Sequence, residues 1–382
     1  MIGHGPGAQD LRPAIFFDCD GVLNEEPGGN GVLVPDDVRL IPGAGEAVRA
    51  ARDAGYLAIV ITNRAQVAKG FVKLAELDKI FARVEELLAQ SGGTIDRIYF
   101  CPHHPDKTPG GVPELKIDCD CRKPGALLFR RAIADFAVDV RRSAVIGDSL
   151  RDIGAGRAVG LWTYGVRTGY ACRDVARYPH REPPRPDLMF SDVREAIDFC
   201  VSYRRIAEPV LAALRQRQSN KPAIVAIAGR PHTGKSLLSH AVNRTLTEDG
   251  GRCLHVRLTG PAELLPGIVS DLREGRPVTV STYDPVTRQA GTAATHDPAG
   301  CAIILLDGDF AAHHSIRPML DLAVFVDVPD EVQSARFGEF CRWMGMTDVA
   351  AEKLRASRAG EWRAIDLQRA EADLLLSGAP AA

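Results

Sequence analysis

Along the first two hundred residues, short and almost wholly apolar runs alternate with longer stretches whose apolar residues recur at helical spacing. AIFFDCD, YLAIVITN, RIYFCP and SAVIGDS are runs of the first kind. GAGEAVRAARDAGY, VKLAELDKIFARVEELLAQSG and PGALLFRRAIADFAV are stretches of the second kind, and DIGAGRAVG reads as the start of another helix. A run that is apolar on both faces suits a strand covered on both sides, so the pattern predicts a parallel sheet with right-handed helical crossovers. In such a sheet the site lies at the C-terminal ends of the strands. A Pro/Arg-rich stretch from Arg173 to Pro186 reads as an exposed loop, and DLMFSDVREAIDFCV as a closing strand and helix.

The pattern restarts with AIVAIAG and continues through CLHVRL, CAIILLDGDF and LAVFVDVP as strands, while the segment from EVQSARFGEFCRWMGM to ADLLLSG reads as helical. Between the two halves, residues 204–220 are charged and Ala/Leu-rich and end in SNKP, which suits a linking helix. The expected organisation is two Rossmann-like, three-layer α/β domains over 1–205 and 221–382, joined by a linker helix over 206–220. A chain of 382 residues agrees with two cores of about 150–200 residues each.

Composition narrows the classes. The net charge of −2 gives no global positive field, which disfavours nucleic acid and anionic membrane as partners. No apolar run approaches the roughly 20 residues that span a bilayer. MIGHGPGAQDLRP lacks a basic region followed by an apolar core, so it does not read as a secretion signal, and a cytoplasmic location is expected. The nine cysteines are an odd number, and without a secretion signal clustered ones read as metal ligands in preference to disulfides.

Candidate chemistry begins at DCDGVLN. Asp18 and Asp20 alternate at a strand end, and Gly21 lets the chain turn. A carboxylate that attacks a phosphate dianion needs a divalent cation beside it, and a second carboxyl two residues on can protonate the leaving oxygen and then activate water. Further along, Cys101-Pro-His103 and Cys119-Asp-Cys121 flank a Pro/Gly-rich loop. Three thiolates and an imidazole complete a tetrahedral zinc set with no open position, so the ion would be structural and would pin that loop. His104 is the neighbouring alternative to His103.

Asp18 and Asp20, with Thr62-Asn63 after the second strand, Lys123, and Gly147-Asp148-Ser149 with Asp152, resemble in this order the haloacid dehalogenase superfamily of phosphatases across roughly residues 12–200. The resemblance implies Asp18 as nucleophile, Asp20 as general acid/base, and Thr62 and Lys123 as holders of the phosphoryl oxygens. It places Mg²⁺ on Asp18, the Asp20 backbone carbonyl and Asp148, with Asp152 orienting Lys123 or a metal-bound water. CPHHPD followed by CDCRKP resembles the zinc-containing branch that acts on heptose 1,7-bisphosphate and histidinol phosphate. That branch lacks a large cap, so a small phosphorylated metabolite is the expected partner, with Asn63 and Arg122 at its binding site. The chain departs from the branch at ITNRAQVAKGF, where the heptose enzymes usually carry TNQSGIARG, so Arg64, Ala65 and Gln66 alter that loop.

In the second half, Gly229-x4-Gly234-Lys235-Ser236 follows AIVAIA and precedes LLSHAVNRTL, the strand–loop–helix context of a P-loop. Backbone N–H groups, with Thr233 and the glycines in the loop, would cradle the phosphates of ATP, Lys235 would reach the outer phosphates, and Ser236 would ligate Mg²⁺. TYDPVTRQAG (Tyr283, Asp284, Arg288) and IILLDGDF (Asp307, Gly308) resemble the acceptor segment and acidic-Gly strand end of the uridine kinase and phosphoribulokinase group; Arg336 or Arg342 would be the lid arginine. In that group the strand after the P-loop helix ends in an acidic base. CLHVRLTGPAEL instead offers Arg257, with no carboxylate before Glu263, so Asp284 or Asp307 would be the base, or the domain would bind nucleotide without efficient transfer. The expectation is a Mg²⁺-dependent sugar-phosphate phosphatase joined to an ATP-dependent small-molecule kinase. A polynucleotide kinase/3′-phosphatase and a phosphatase regulated by a nucleotide-sensing domain are the other readings.

Overall fold

The computed structural model describes residues 11–28, 30–106, 108–177, 183–216, 221–258, 264–283 and 290–378. It divides between Val201 and Ser202 into two units. In the first, the chain runs β1 (Ala14–Phe17), α1 (Ala44–Asp53), β2 (Leu57–Asn63), α2 (Ala65–Ala68), α3 (Leu74–Gln90), β3 (Arg97–Cys101), α4 (Leu127–Asp135), β4 (Ala144–Gly147), α5 (Leu150–Arg157), β5 (Trp162–Val166) and β6 (Leu188–Phe190). These strands form a six-stranded sheet in the order β3-β2-β1-β4-β5-β6, with every pair parallel. All four residues of β1 and of β4 are buried, as strands covered on both faces must be. The order reverses between β1 and β4, and an open parallel sheet places its binding crevice at such a switch point. Phe17 pairs with both Val60 and Ile146, so Asp18, Thr62 and Asp148 leave the sheet at nearly one level.

Helix α6 (Val193–Arg215) is continuous, where the sequence pattern suggested a closing helix and a separate linker. No glycine interrupts it, and Pro209 is carried within the helix. Residues 217–220 lie outside the described residues.

The second unit runs β7 (Ala223–Ala228), α7 (Lys235–Glu248), β8 (Cys253–Arg257), α8 (Leu265–Arg273), β9 (Val278–Tyr283), β10 (Ala290–His296), β11 (Ile303–Asp307), β12 (Leu322–Asp327), α9 (Asp330–Trp343), α10 (Asp348–Ser357), α11 (Ala359–Asp366) and β13 (Leu374–Ser377). Its main sheet has the order β13-β12-β7-β11-β8, again parallel, and β9 and β10 form an antiparallel pair. The helical reading of ADLLLSG is corrected here: Leu374–Ser377 pairs with Val324–Asp327 as a strand. Its residues alternate between half-buried and exposed, so it is an edge strand whose ladder to β12 outweighs the helix propensity of three leucines. No helix among the described residues is long and apolar enough to cross a membrane.

Candidate active sites

Asp18 follows β1 and sits beside Lys123, whose Nζ lies 2.8 Å from Asp18 Oδ1 and 2.6 Å from Asp152 Oδ1. The ammonium also donates to the Ile61 carbonyl at 2.6 Å, and the side chain is buried. Its backbone is fixed as well: Lys123 N–H donates to Asn63 Oδ1 at 3.0 Å, and Asn63 Nδ2 donates to the Lys123 carbonyl at 3.2 Å. Asn63, expected at the substrate, thus clamps the lysine loop to the end of β2. Thr62 is buried one residue earlier.

Asp18, Asp148 and Asp152 place carboxylate oxygens within 4.8 Å of one another. Burial raises the Asp148 carboxyl well above its ordinary value, with Asp18 and Asp152 adding to the effect. Burial, then the charge of Asp18, pushes Asp152 up to about 6, while Lys123 opposes them. Burial opposes the charge on Lys123, but Asp152 and Asp18 outweigh it and raise its pKa. Adding Asp20 and Arg64, four carboxylates face two cations, an imbalance that a divalent ion would neutralise. The oxygen donor set fits Mg²⁺.

One close approach and three hydrogen bonds hold this arrangement. A Cβ on Gly21, whose φ is +87°, would fall 2.2 Å from Asp148 Oδ2. From the loop after β5, Tyr170 N–H donates to Asp148 Oδ2 at 2.7 Å, and Thr168 Oγ1 donates to the Gly21 carbonyl. Ser149 N–H donates to Asp152 Oδ2 at 3.1 Å, so Asp152 closes the N-terminal turn of α5 while its other oxygen meets Lys123.

Sequence reasoning singled out Arg64 only as altering the loop after β2, not as a partner of Asp20. It follows β2, is buried, and ion-pairs through Nη1 with Asp20 Oδ2. Its charge at the head of the run Ala65-Gln66-Val67-Ala68 was the available signal.

At the end of β3, Cys101, His103, Cys119 and Cys121 converge. Sγ–Sγ separations are 3.1 Å for Cys121–Cys101, 3.2 Å for Cys119–Cys121 and 3.6 Å for Cys101–Cys119. His103 Nδ1 is 3.1 Å from Cys121 Sγ and 3.7 Å from Cys101 Sγ. Ligands 2.0–2.3 Å from a tetrahedral ion stand roughly 3.3–3.8 Å apart, close to this spacing. Burial raises the thiols of Cys101 and Cys121, so an ionised set calls for a central cation. His104 is outside the set, its Nδ1 accepting from Asp106 N–H. Arg122 donates to the His103 carbonyl at 3.2 Å, tying the two ligand pairs together.

In the second unit, the loop after β7 closes on itself around Lys235. The ammonium donates to the Gly229 and Arg230 carbonyls, each at 2.8 Å, and lies 2.9 Å from Asp309 Oδ1. Thr233 Oγ1 donates to the Arg230 carbonyl at 2.9 Å. Gly229 has φ +143° and a Cβ there would stand 2.3 Å from the Val326 carbonyl; Gly234 caps α7 in a left-handed conformation. Ser236 Oγ donates to Asp307 Oδ2 at 3.2 Å, and His255 Nε2 is 3.4 Å from the same oxygen. Asp307 is buried, which alone would raise its pKa; His255, Arg257 and Lys235 together lower it instead. Arg336 reaches the His232 carbonyl at 3.5 Å, and Arg342 lies 3.7 Å from Asp348. Tyr283 ends β9, while Asp284, Arg288 and Glu263 lie outside the described residues.

Residues 120–196 match a family model described as HAD-hydrolase-like. A D-glycero-β-D-manno-heptose-1,7-bisphosphate 7-phosphatase of Haemophilus ducreyi is 36% identical over 162 residues, covering 42% of this chain and 86% of that protein. The D-glycero-D-manno-heptose-1,7-bisphosphate 7-phosphatase of Thermosynechococcus vestitus is 33% identical over 193 residues, covering 50% of this chain and 97% of its own. Among solved structures, the D,D-heptose 1,7-bisphosphate phosphatase of B. bronchiseptica with magnesium and phosphate is similar at 30% identity and TM-score 0.42, covering 49% of this chain and 96% of that one. A Bacillus stearothermophilus protein described as a possible uridine kinase is similar at 16% identity and TM-score 0.33, covering 46% of this chain and 98% of that one. Relatives that are matched over nearly their whole length, yet span only half of this chain, account for one unit and not both. In that unit the chain belongs to the family of the heptose-1,7-bisphosphate phosphatases, among the HAD-like hydrolases.

Proposed function

We propose that the first unit hydrolyses a small sugar phosphate, of the heptose 1,7-bisphosphate kind, through an aspartyl-phosphate on Asp18. The observation that carries this reading is the placement of Lys123 between Asp18 and Asp152, with Asp148 beside them. Asp18 Oδ1 accepts from Lys123 and from the Cys19 N–H at 2.7 Å, so the attacking atom would be Oδ2. In the first step Asp18 forms a bond to phosphorus while the bond to the sugar oxygen breaks, and Asp20 gives that oxygen a proton. In the second, Asp20 takes a proton from water as the water oxygen attacks phosphorus, which frees Asp18 and inorganic phosphate. Lys123 and Thr62 would hold the non-bridging oxygens. Mg²⁺ on Asp18, Asp148 and the Asp20 carbonyl would supply shielding between nucleophile and phosphate. Zinc on the three thiols and His103 would be structural.

The second unit we read as a P-loop domain for a nucleoside triphosphate, with ATP as the phosphoryl donor to a small molecule. Ser236 meets Asp307 and Lys235 is held on the carbonyls of the preceding loop, an arrangement that supports that role. One observation favours the sensor reading for this unit: β8 ends in Arg257, near Ser236 at 3.5 Å, and brings no carboxylate there.

The experiment is Mg²⁺-dependent phosphate release from heptose 1,7-bisphosphate beside a 3′-phosphorylated oligonucleotide at matched concentrations. Preference for the sugar is expected. Preference for the oligonucleotide overturns the sugar reading and directs the P-loop unit to 5′-hydroxyl ends. ATP consumption with sugars or nucleosides separates a kinase from a sensor.

A further inference from the structure

The charged side chain of Arg64 is 1% exposed, deep beside the phosphoryl site. Burying a guanidinium is costly, and one ion pair does not satisfy its five donors. Nη1 bonds Asp20 Oδ2, while Nε and Nη2 are buried with no hydrogen-bond partner among the described residues. A group this expensive persists where its position is used. Three contacts fix it. Its backbone N–H donates to the Cys101 carbonyl at 2.8 Å, so its root is tied to the first residue of the thiol cluster. Its guanidinium carbon stands 5.3 Å from the centre of the Phe81 ring, which covers its face. Its tip meets Asp20.

Asp20 has little choice of direction as a result. Oδ2 is taken by Arg64, and Oδ1 accepts from Asn24 Nδ2 at 3.3 Å. Asn24 is itself held, accepting from Arg39 N–H at 2.7 Å and donating to the Glu25 carbonyl at 2.7 Å. Proton transfer to a leaving oxygen requires the acid within roughly 2.6–3.2 Å of it, so a carboxyl free to rotate loses efficiency steeply.

We propose that Arg64 is a positioning residue that aims Asp20 at the leaving-group oxygen, and that it thereby determines how well the site expels poor leaving groups. This rests on the phosphatase reading, with Asp20 as the proton donor. The bond between phosphorus and an alkyl oxygen breaks only as that oxygen gains a proton from Asp20. A nitrophenolate leaves without one. Arg64 therefore governs the first kind of substrate more than the second.

The test compares kcat/KM for an alkyl phosphate such as glycerol phosphate with that for p-nitrophenyl phosphate. The substitutions are Arg64→Met, of similar length without charge, and Arg64→Lys, which keeps the charge and serves if the first does not fold. Because kcat/KM covers steps up to transfer onto Asp18, it isolates the leaving-group step. We expect the alkyl-to-aryl ratio to fall at least about tenfold in Arg64→Met, within the range general acids contribute. In Arg64→Lys we expect a smaller fall. Equal losses on both substrates overturn the proposal, since they mark a structural role alone, and leave the phosphatase reading intact. Wild-type protein that releases phosphate from neither ester nor from heptose 1,7-bisphosphate overturns the phosphatase reading, and the role of Arg64 with it.

Discussion

Lys123 lies between two carboxylates, and one of them, Asp152, has its pKa raised although the lysine opposes the shift. Its folded pKa of about 6 exceeds the ordinary 3.8, chiefly through burial and then the charge of Asp18. The folded state therefore holds that proton more tightly than the unfolded chain. The resulting stability is complete below about pH 4 and is lost as the pH rises through 6. In chelator-treated protein, the Tm of the wild type relative to Asp152→Asn should fall between pH 4.5 and 7; a rise over that interval would mean the shift has the opposite sign. The meeting of Asp18, Lys123, Asp148 and Asp152 follows what the family resemblance of their motifs implied, each motif lying at a strand end or in a loop before a helix. The grip of Arg64 on Asp20 was not legible in the sequence, since it depends on a side chain reaching across from a neighbouring strand.

At the scale of elements, the thiol cluster secures a loop with little apolar content of its own: Val112, Glu114 and Leu115 are half-buried or exposed. Cys119→Ser, or exhaustive chelation of zinc, should lower the first unit's Tm. A loss of about 2 kcal/mol corresponds to roughly 4–8 °C in a domain of this size. An unchanged Tm, with no zinc found in the purified protein by elemental analysis, would leave the four residues without a structural ion. Pairing of C-x-H with C-x-C made this cluster readable from spacing alone, whereas β13 was misread because LLLS carries no alternation and follows a helical stretch. Only register with β12 identifies it as a strand. The continuous α6 was hidden for a related reason: a change in charge along a helix resembles a boundary even where the backbone does not break.

Across the whole molecule, the two candidate sites draw on separate sheets, each with its own central strand. Asp18→Asn should reduce phosphate release by more than a thousandfold and leave ATP binding, followed by calorimetry, unchanged. Lys235→Ala should do the reverse, because the ammonium that now bonds three loop oxygens is the group expected to meet the outer phosphates. Loss of both functions from either substitution would mean that the units are coupled. The two-unit plan was visible because the strand–helix rhythm restarts after a polar stretch; of the acceptor segment read from the sequence, Asp284 and Arg288 fall outside the described residues.

The position of β1 also bears on how the protein is made. Its four residues, buried on both faces, pair with β2 on one side and with β4 on the other. On a ribosome β2 follows soon after, but β4 emerges about 130 residues behind β1, roughly 6–25 s later at ordinary elongation rates. Throughout that interval the nascent chain carries an apolar strand with one unpaired edge, which is a template for pairing with other chains. Slow codons or a starved cell would lengthen the exposure. The yield of active protein should therefore depend on chaperone supply during synthesis more than on the stability of the finished fold.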